Sequence, residues 1–446
     1  MGAMGDMYAR HLAHAGWNRI HVCDQREKYD ALKSEYAGFP NITVFENGHE
    51  VSRSSDFIMY SVEAEFLEKV VAEYGPSTKM NAIVAGQTSV KAPEKIAFEK
   101  YLPADAEIVS CHSLHGPTVS PVGQPLVLIQ HRASDAALHL VGNILRSFGS
   151  RFVYLSYDEH DLVTANTQGV IHAAFLTMGT AWAARQAYPW EHGAYVGGIE
   201  TAKVNLTLRI YSNQWHVYAG LAILNPSARA QIDQFARSAT ELFTLMLAGD
   251  EKRFRARVLW AREVVFEPKA SEEAGDSSAG KTRKRTPILL SADVLDRFSL
   301  GVAQTSASGA AGVGVSQKST YKANLHLSLL AMVDCWAQLR INPFVHLALA
   351  ATPLFRLFLG VAEHLFLTPA PLDDAIRSAM HETWHRSDDL EFVVAARGWS
   401  QCVSFGSFEL YRRRFEETRV FFSGRFEEAG RLGNEMIKAI MESEVR

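Results

Sequence analysis

Asn81-Ala82-Ile83-Val84-Ala85-Gly86-Gln87-Thr88-Ser89-Val90-Lys91 runs from a short apolar stretch into a polar turn. Ile108-Val109-Ser110-Cys111-His112-Ser113-Leu114-His115-Gly116-Pro117 repeats the pattern. Short apolar runs bounded by Gly, Pro and polar residues read as buried strands. Working outward, further strands are expected at 19–23, 42–45, 56–60, 125–130 and 151–155. Helices are expected up to about residue 15 and at 64–74, 93–101 and 135–148. Strands alternating with helices argue an α/β domain built on a mainly parallel, doubly wound sheet of Rossmann type. In such sheets ligands bind beyond the carboxyl ends of the strands. Ser61, Val62, Gly86 and Gln87 are therefore expected to contact a cofactor, and Ser89 and His112 to reach the same edge.

Gly2 and Gly5 have the spacing of the last two glycines of GxGxxG, and Asp24 lies 19 residues beyond Gly5, where an acidic residue would meet the adenosine ribose. A helix N-terminus aimed at the pyrophosphate gives the motif its logic. The chain as written starts at this point, so the first glycine and first strand of the fingerprint do not precede it. The expectation is a start lying upstream, in a truncated gene model; the alternative is a catalytically idle nucleotide-binding protein. Asp24 favours the free 2′-hydroxyl of NAD, while Arg26 would pair with the 2′-phosphate of NADP, and these residues leave the choice open.

Hydrophobic residues make up 47% of the chain and charged residues 21%, a globular balance, and the formal net charge of −4 gives no overall basic field for nucleic acid. The four cysteines, Cys23, Cys111, Cys335 and Cys402, lie far apart and form no CxxC pair, which argues against a zinc ribbon or disulfide framework. No apolar run reaches the ~18 residues of a membrane span, and the N-terminus does not read as a secretory signal. The expectation is a cytoplasmic protein.

His112 has the chemistry of a general base, since an imidazole can take a hydroxyl proton near neutral pH. Ser89 can fix that imidazole or contact a nicotinamide. The competing readings are a structural histidine and a helix-capping serine. His112 and His115 also invite a metal reading, but no third ligand stands at convincing spacing, so no metal is expected.

Ser89-Val90-Lys91 and His112 through Pro117 resemble the prephenate dehydrogenase family, its fungal monofunctional members most of all. The resemblance continues through Tyr157-Asp158-Glu159-His160-Asp161, Gln168 and His172-Ala173-Ala174-Phe175, then Asn205 to Ser212, Trp215 and Asn225-Pro226. It implies oxidative decarboxylation of prephenate to 4-hydroxyphenylpyruvate, with hydride passed to NADP, the cofactor of the fungal members. It gives His112 the ring hydroxyl of the substrate, Ser89 the support of that histidine, and Arg209 a substrate carboxylate, which a planar guanidinium can grip through two hydrogen bonds. Gln168 and His172, one helical turn apart, share a face suited to lining the substrate pocket; a satisfied interior histidine is the competing reading. The same scaffold acting on arogenate is the alternative substrate reading.

From residue 157 onward the patterns are long and helical. An all-α substrate-binding and dimerisation domain is expected over 157–446, after a nucleotide domain at 1–156, with a continuous buried helix over 161–186. In the family the helical domains interlock as a homodimer; a single monomeric bundle would also absorb the apolar faces. Residues 269–320 break the pattern. This stretch, rich in Ser, Gly and Ala, with basic Lys281, Arg283, Lys284 and Arg285 and a short helical piece at 292–298, reads as a flexible insert, and the basic cluster as a solvated loop more than a nuclear signal.

Overall fold

Helix α1 (Ala3–His14) opens the chain and leads into β1 (Ile20–Val22), after which α2 (Tyr29–Glu35), β2 (Ile42–Val44), α3 (Gly48–Ser54), β3 (Phe57–Tyr60), α4 (Leu67–Tyr74) and β4 (Ile83–Gly86) alternate. They are followed by α5 (Ala92–Tyr101), β5 (Glu107–Ser113), β6 (Pro125–Arg132), α6 (Asp135–Leu145), β7 (Arg151–Tyr154) and α7 (Tyr157–Thr164). The computed structural model describes residues 1–117, 119–192, 198–266, 327–350, 353–383 and 386–443. The insert expected at 269–320, with its basic cluster and short helix, lies outside the described residues.

The sheet is in two pieces. β1 and β2 pair in parallel, and β3-β4-β5-β6-β7 form a second sheet in which only the β5–β6 pairing is antiparallel. This is the doubly wound order on either side of its first strand, and among the described residues no strand joins β1 to β3. Helix α1 packs on both pieces. Tyr8 joins a core with Ile83, Val109, Leu128 and Phe148, while Ala9 and Ala13 join Val22, Leu32 and Ile42.

Two boundaries move from expectation. Gly86 ends β4, and His112 and Ser113 lie inside β5, because β6 runs antiparallel to β5 and pairs its last residues, Leu126 opposite Ser113 and Val127 opposite His112. The helix expected over 161–186 is three segments: α7, a five-residue π turn (Ala165–Gly169) and α8 (Val170–Ala184). Asn166 explains part of the break, since its side chain bonds His346 at 2.8 Å and Gln231 at 2.5 Å. At Gly169 a Cβ would lie 2.8 Å from that of Ala228, closer than real Cβ atoms pack. Such turns mark strained or functional places in helices.

By internal contacts, Met1–Ala165 with Ile223–Ser227 forms one unit, and Asn166–Ala222 with the chain from Ala228 onward forms the other. The boundary drawn at 156/157 therefore falls one helix early. Helix α7, opened by a Ser156/Glu159 capping box, belongs with the first unit because its Asp161 carboxylate accepts the N–H groups of Lys91 and Ala92 at the start of α5, both at 2.7 Å.

Among the described residues the second unit is helical. It comprises α8, α9 (Gly198–Ser212), α10 (His216–Leu224), α11 (Pro226–Ala248), α12 (Glu251–Phe266), α13 (Leu327–Gln338), α14 (Pro343–Ala350), α15 (Pro353–Leu367), α16 (Pro369–His381), α17 (Arg386–Ser404), α18 (Phe408–Phe422) and α19 (Phe426–Ser443). Helix α8 is buried along nearly its whole length and packs on α9, α17 and α18. No described helix is long and apolar enough to cross a membrane.

Candidate functional site

The parallel strands β3, β4 and β5 bring Ser61, Gln87 and His112 to one edge of the first unit. Beneath that edge lies a buried polar knot. Lys91, fully enclosed, donates from Nζ to the carbonyls of Gly86 (3.1 Å) and Cys111 (3.0 Å) and to Glu94 Oε2 (2.8 Å), which uses all three of its donors. Glu94, equally buried, also accepts from Thr88 Oγ1 (2.7 Å), Ser110 Oγ and Tyr157 OH. The knot ties the end of β4, the 87–91 turn and the end of β5 into one piece. It also explains Gly86: a Cβ there would run into the Glu94 carboxylate. Packing therefore accounts for this glycine, for which the sequence suggested cofactor contact.

His112 is 7% exposed at the end of β5. Its Nδ1 lies 2.8 Å from Nε2 of His160, whose Nδ1 lies 3.0 Å from Asp161 Oδ1. Burial, then the neighbouring His160, Lys91 and His115, hold the His112 imidazole well below its usual range; burial and Lys91 do the same to His160. Burial raises the Asp161 carboxyl, opposed by the N–H groups of Lys91 and Ala92. The support expected from Ser89 is thus supplied on Nδ1 by His160. Ser89 stands half-buried in the turn.

The start of α1 has the features of a dinucleotide cradle. Gly2 is its N-cap, with open space where a Cβ would stand. Gly5 is buried against β3, where a Cβ would come 3.2 Å from Ser61 Oγ, the close helix–strand packing that the last glycine of the fingerprint provides. Ser61 donates to Gln87 Oε1 at 2.9 Å, and Gln87 Nε2 is buried without a hydrogen-bond partner, a donor in need of an acceptor. Val62 is half-buried beside Ser61. Asp24 follows β1. Burial would raise its pKa, but the Met1 amino group at 2.8 Å, the Gln25 N–H and Lys28 outweigh it and hold the carboxyl below its ordinary value. Arg26 is exposed and pairs with Glu46.

In the second unit Gln168 lies buried in the π turn and His172 one turn into α8. The His172 ring meets Tyr218 edge-on, with centroids 4.8 Å apart, and its Nδ1 is buried without a hydrogen-bond partner. His172 lines a small cavity with Gly169, Leu176, Tyr218, Trp399 and Tyr411, and Gln168 adjoins it in sequence. Arg209, on α9, is half-buried; burial lowers its pKa and nearby Tyr218 opposes this. Tyr218 therefore connects His172 and Arg209, a role that no sequence motif announced.

Three comparisons bear on this arrangement. Residues 169–442 match the model of a 6-phosphogluconate dehydrogenase C-terminal domain. Over 442 residues, 99% of this chain and 96% of the relative, it is 50% identical to a probable NADP(+) prephenate dehydrogenase of Schizosaccharomyces pombe. Over 445 residues, 99% of this chain and 92% of the relative, it is 48% identical to the NADP(+) prephenate dehydrogenase of Saccharomyces cerevisiae. The chain belongs to the prephenate dehydrogenase family. A crystal structure of the Aquifex aeolicus prephenate dehydrogenase, in complex with hydroxyphenyl propionate and NAD+, is similar at 19% identity and a TM-score of 0.46, over 57% of this chain and 90% of that one.

Three neutral, buried imidazoles set the acid limb of this prephenate dehydrogenase family member's stability. His112 and His160 are held well below the ordinary range and His172 is lowered to about 4, in each case by burial first. Each folded pKa lies below the unfolded one, so between the two values the unfolded chain binds more protons. The stability is complete above about pH 6.5 and is lost as pH falls toward the folded values, at about 1.4 kcal/mol per ring per pH unit. The urea midpoint is expected to drop clearly between pH 7 and pH 5; an equal or higher midpoint at pH 5 would contradict the burial of neutral rings.

Proposed function

We propose that this chain catalyses oxidative decarboxylation of prephenate to 4-hydroxyphenylpyruvate with NADP, in tyrosine biosynthesis. The observation that carries the reading is near-half identity along 99% of the chain to two fungal proteins named for that activity. The residues fit the cofactor. The N-terminus of α1 with Gly2 and Gly5 would receive the pyrophosphate, and Asp24 and Arg26 the adenosine ribose and its 2′-phosphate. Ser61, Val62 and the unpartnered amide of Gln87 would stand along the nicotinamide half. When bound, the nicotinamide supplies a hydride acceptor.

The chain's own residues manage protons and carboxylates. His112 Nε2 takes the proton of the C4 hydroxyl as hydride departs from that carbon, so the C–O bond gains carbonyl character without a charged oxygen building up. Loss of the ring carboxylate as CO2 then returns the electron pair to the ring, which becomes aromatic. The oxygen recovers the proton from His112, leaving the base ready for another turnover. Arg209 holds a substrate carboxylate, Gln168 and His172 line the substrate's surroundings, and Ser89 meets the reacting hydroxyl or the nicotinamide.

Arg209→Ala is expected to raise the KM for prephenate roughly 10–100-fold, the worth of a charge-assisted hydrogen bond. NADP affinity should hold; weakened NADP binding with an unchanged KM would remove Arg209 from the substrate site. The proposal itself is tested by absorbance at about 340 nm with prephenate or arogenate, each with NADP or NAD. Reduction with prephenate and NADP is expected. Turnover of arogenate alone would reassign the substrate, and silence from folded protein with all four pairs would make the chain an idle nucleotide-binding protein. We also propose a cytoplasmic homodimer, supported by the family resemblance and by the exposed apolar Val394, Phe405 and Val420 of the helical unit; a monomer mass by light scattering would refute the dimer.

A further inference from the structure

We infer that His160 and Asp161 form a relay that fixes the tautomer of His112, leaving a bare lone pair on His112 Nε2. The inference rests on the proposed role of His112 as base, but its geometry is independent of substrate. Asp161 Oδ1 accepts the Lys91 N–H and Oδ2 the Ala92 N–H, each at 2.7 Å, so both oxygens act as acceptors. The nitrogen facing that carboxylate at 3.0 Å, Nδ1 of His160, must then carry its proton. A neutral His160 has no second proton, so its Nε2 is an acceptor. His112 Nδ1, 2.8 Å away, must donate to it. One proton on Nδ1 of a neutral ring leaves Nε2 unprotonated.

That both rings are neutral follows from their surroundings. His112 and His160 are 7% and 0% exposed, and the Lys91 ammonium lies near both. When His112 Nε2 takes a proton, an O–H bond of the substrate breaks and an N–H bond forms. The resulting positive charge then sits against His160, whose other face rests on the Asp161 carboxylate at the end of this chain of hydrogen bonds. His160 is thus a positioning residue. It touches no reacting atom, yet it decides which nitrogen of His112 is available. Asp161 also anchors α5 through the same two oxygens, so one carboxylate fixes both the 87–91 turn and the base.

The test is the tautomer itself, read by long-range nitrogen–proton NMR of the full-length chain with isotopically labelled histidine, the His112 signals being assigned by their loss in His112→Asn. The wild-type chain without substrate is expected to show His112 protonated at Nδ1. His160→Leu, which offers no acceptor, should lose that form and lower kcat roughly 10–100-fold, less than removal of the base itself, with NADP affinity unchanged. His160→Gln, whose side-chain oxygen can accept from Nδ1, should retain the tautomer and recover most of kcat. A wild-type His112 protonated at Nε2 would overturn the inference without any variant having to fold. So would a His160→Leu chain that keeps the Nδ1 form and full turnover. Should the wild-type show the Nδ1 form but no activity with prephenate, the relay would stand and the substrate reading would fall.

Discussion

Replacing His112 with asparagine is expected to lower kcat with prephenate by roughly 10²–10⁴-fold, the usual range for a general base, while leaving NADP affinity nearly intact. Asparagine can still donate to His160, so the end of β5 keeps its hydrogen bond, but its amide nitrogen has no lone pair to take a proton. The ring sits at the strand edge shared with Ser61 and Gln87, and its Nδ1 is already committed at 2.8 Å to His160. One face is therefore structural and the other chemical, which is why the variant separates turnover from folding. Single-turnover rates with NADP in excess would check it. Unchanged turnover would remove His112 from the chemistry and transfer the role to another group at that edge.

The second large effect concerns stability. Lys91→Met is expected to destabilise the chain by about 3–5 kcal/mol, because it leaves a buried carboxylate without its counter-charge. Glu94 is fully enclosed, and its other partners, Thr88, Ser110 and Tyr157, are neutral hydroxyls. The same change strands the carbonyls of Gly86 and Cys111, which Nζ now joins at 3.1 and 3.0 Å. Adding Glu94→Gln should return much of the loss, since a neutral amide still accepts from Thr88 and Ser110 and no charge stays buried. Urea unfolding of wild type, single and double variants measures this. A single variant within about 1 kcal/mol of wild type would mean that water reaches the knot.

Much of the first unit was legible because its signals are local. The apolar runs at Ile83 and Ile108, bounded by Gly86 and Pro117, gave the strands, and their parallel order gave the edge. What was not legible depends on distance in the chain. His160 lies 48 residues from His112, and a His-Asp pair at the start of a helix reads locally as end-of-helix chemistry. Only the approach of α7 to the end of β5 turns it into a relay. Gly86 reads as a glycine beside a nucleotide until Glu94 is seen filling the space over it. The π turn at Ala165–Gly169 escaped because Ala, Thr and Gln are ordinary helix residues; the reasons for the break, Ala228 and His346, come from far along the sequence. Residues 161–186 therefore looked like one helix. The two-piece sheet follows from the order of strands, with α1 carrying the contacts to both pieces.

The most direct test of the account is turnover of prephenate carrying deuterium at C4, followed by absorbance at about 340 nm and by mass analysis of the nicotinamide. The account predicts reduction of NADP with the deuterium transferred to the nicotinamide, CO2 released in equal amount, and slower turnover than with unlabelled prephenate. Reduction without deuterium in the nicotinamide, or CO2 released without reduction, would contradict it.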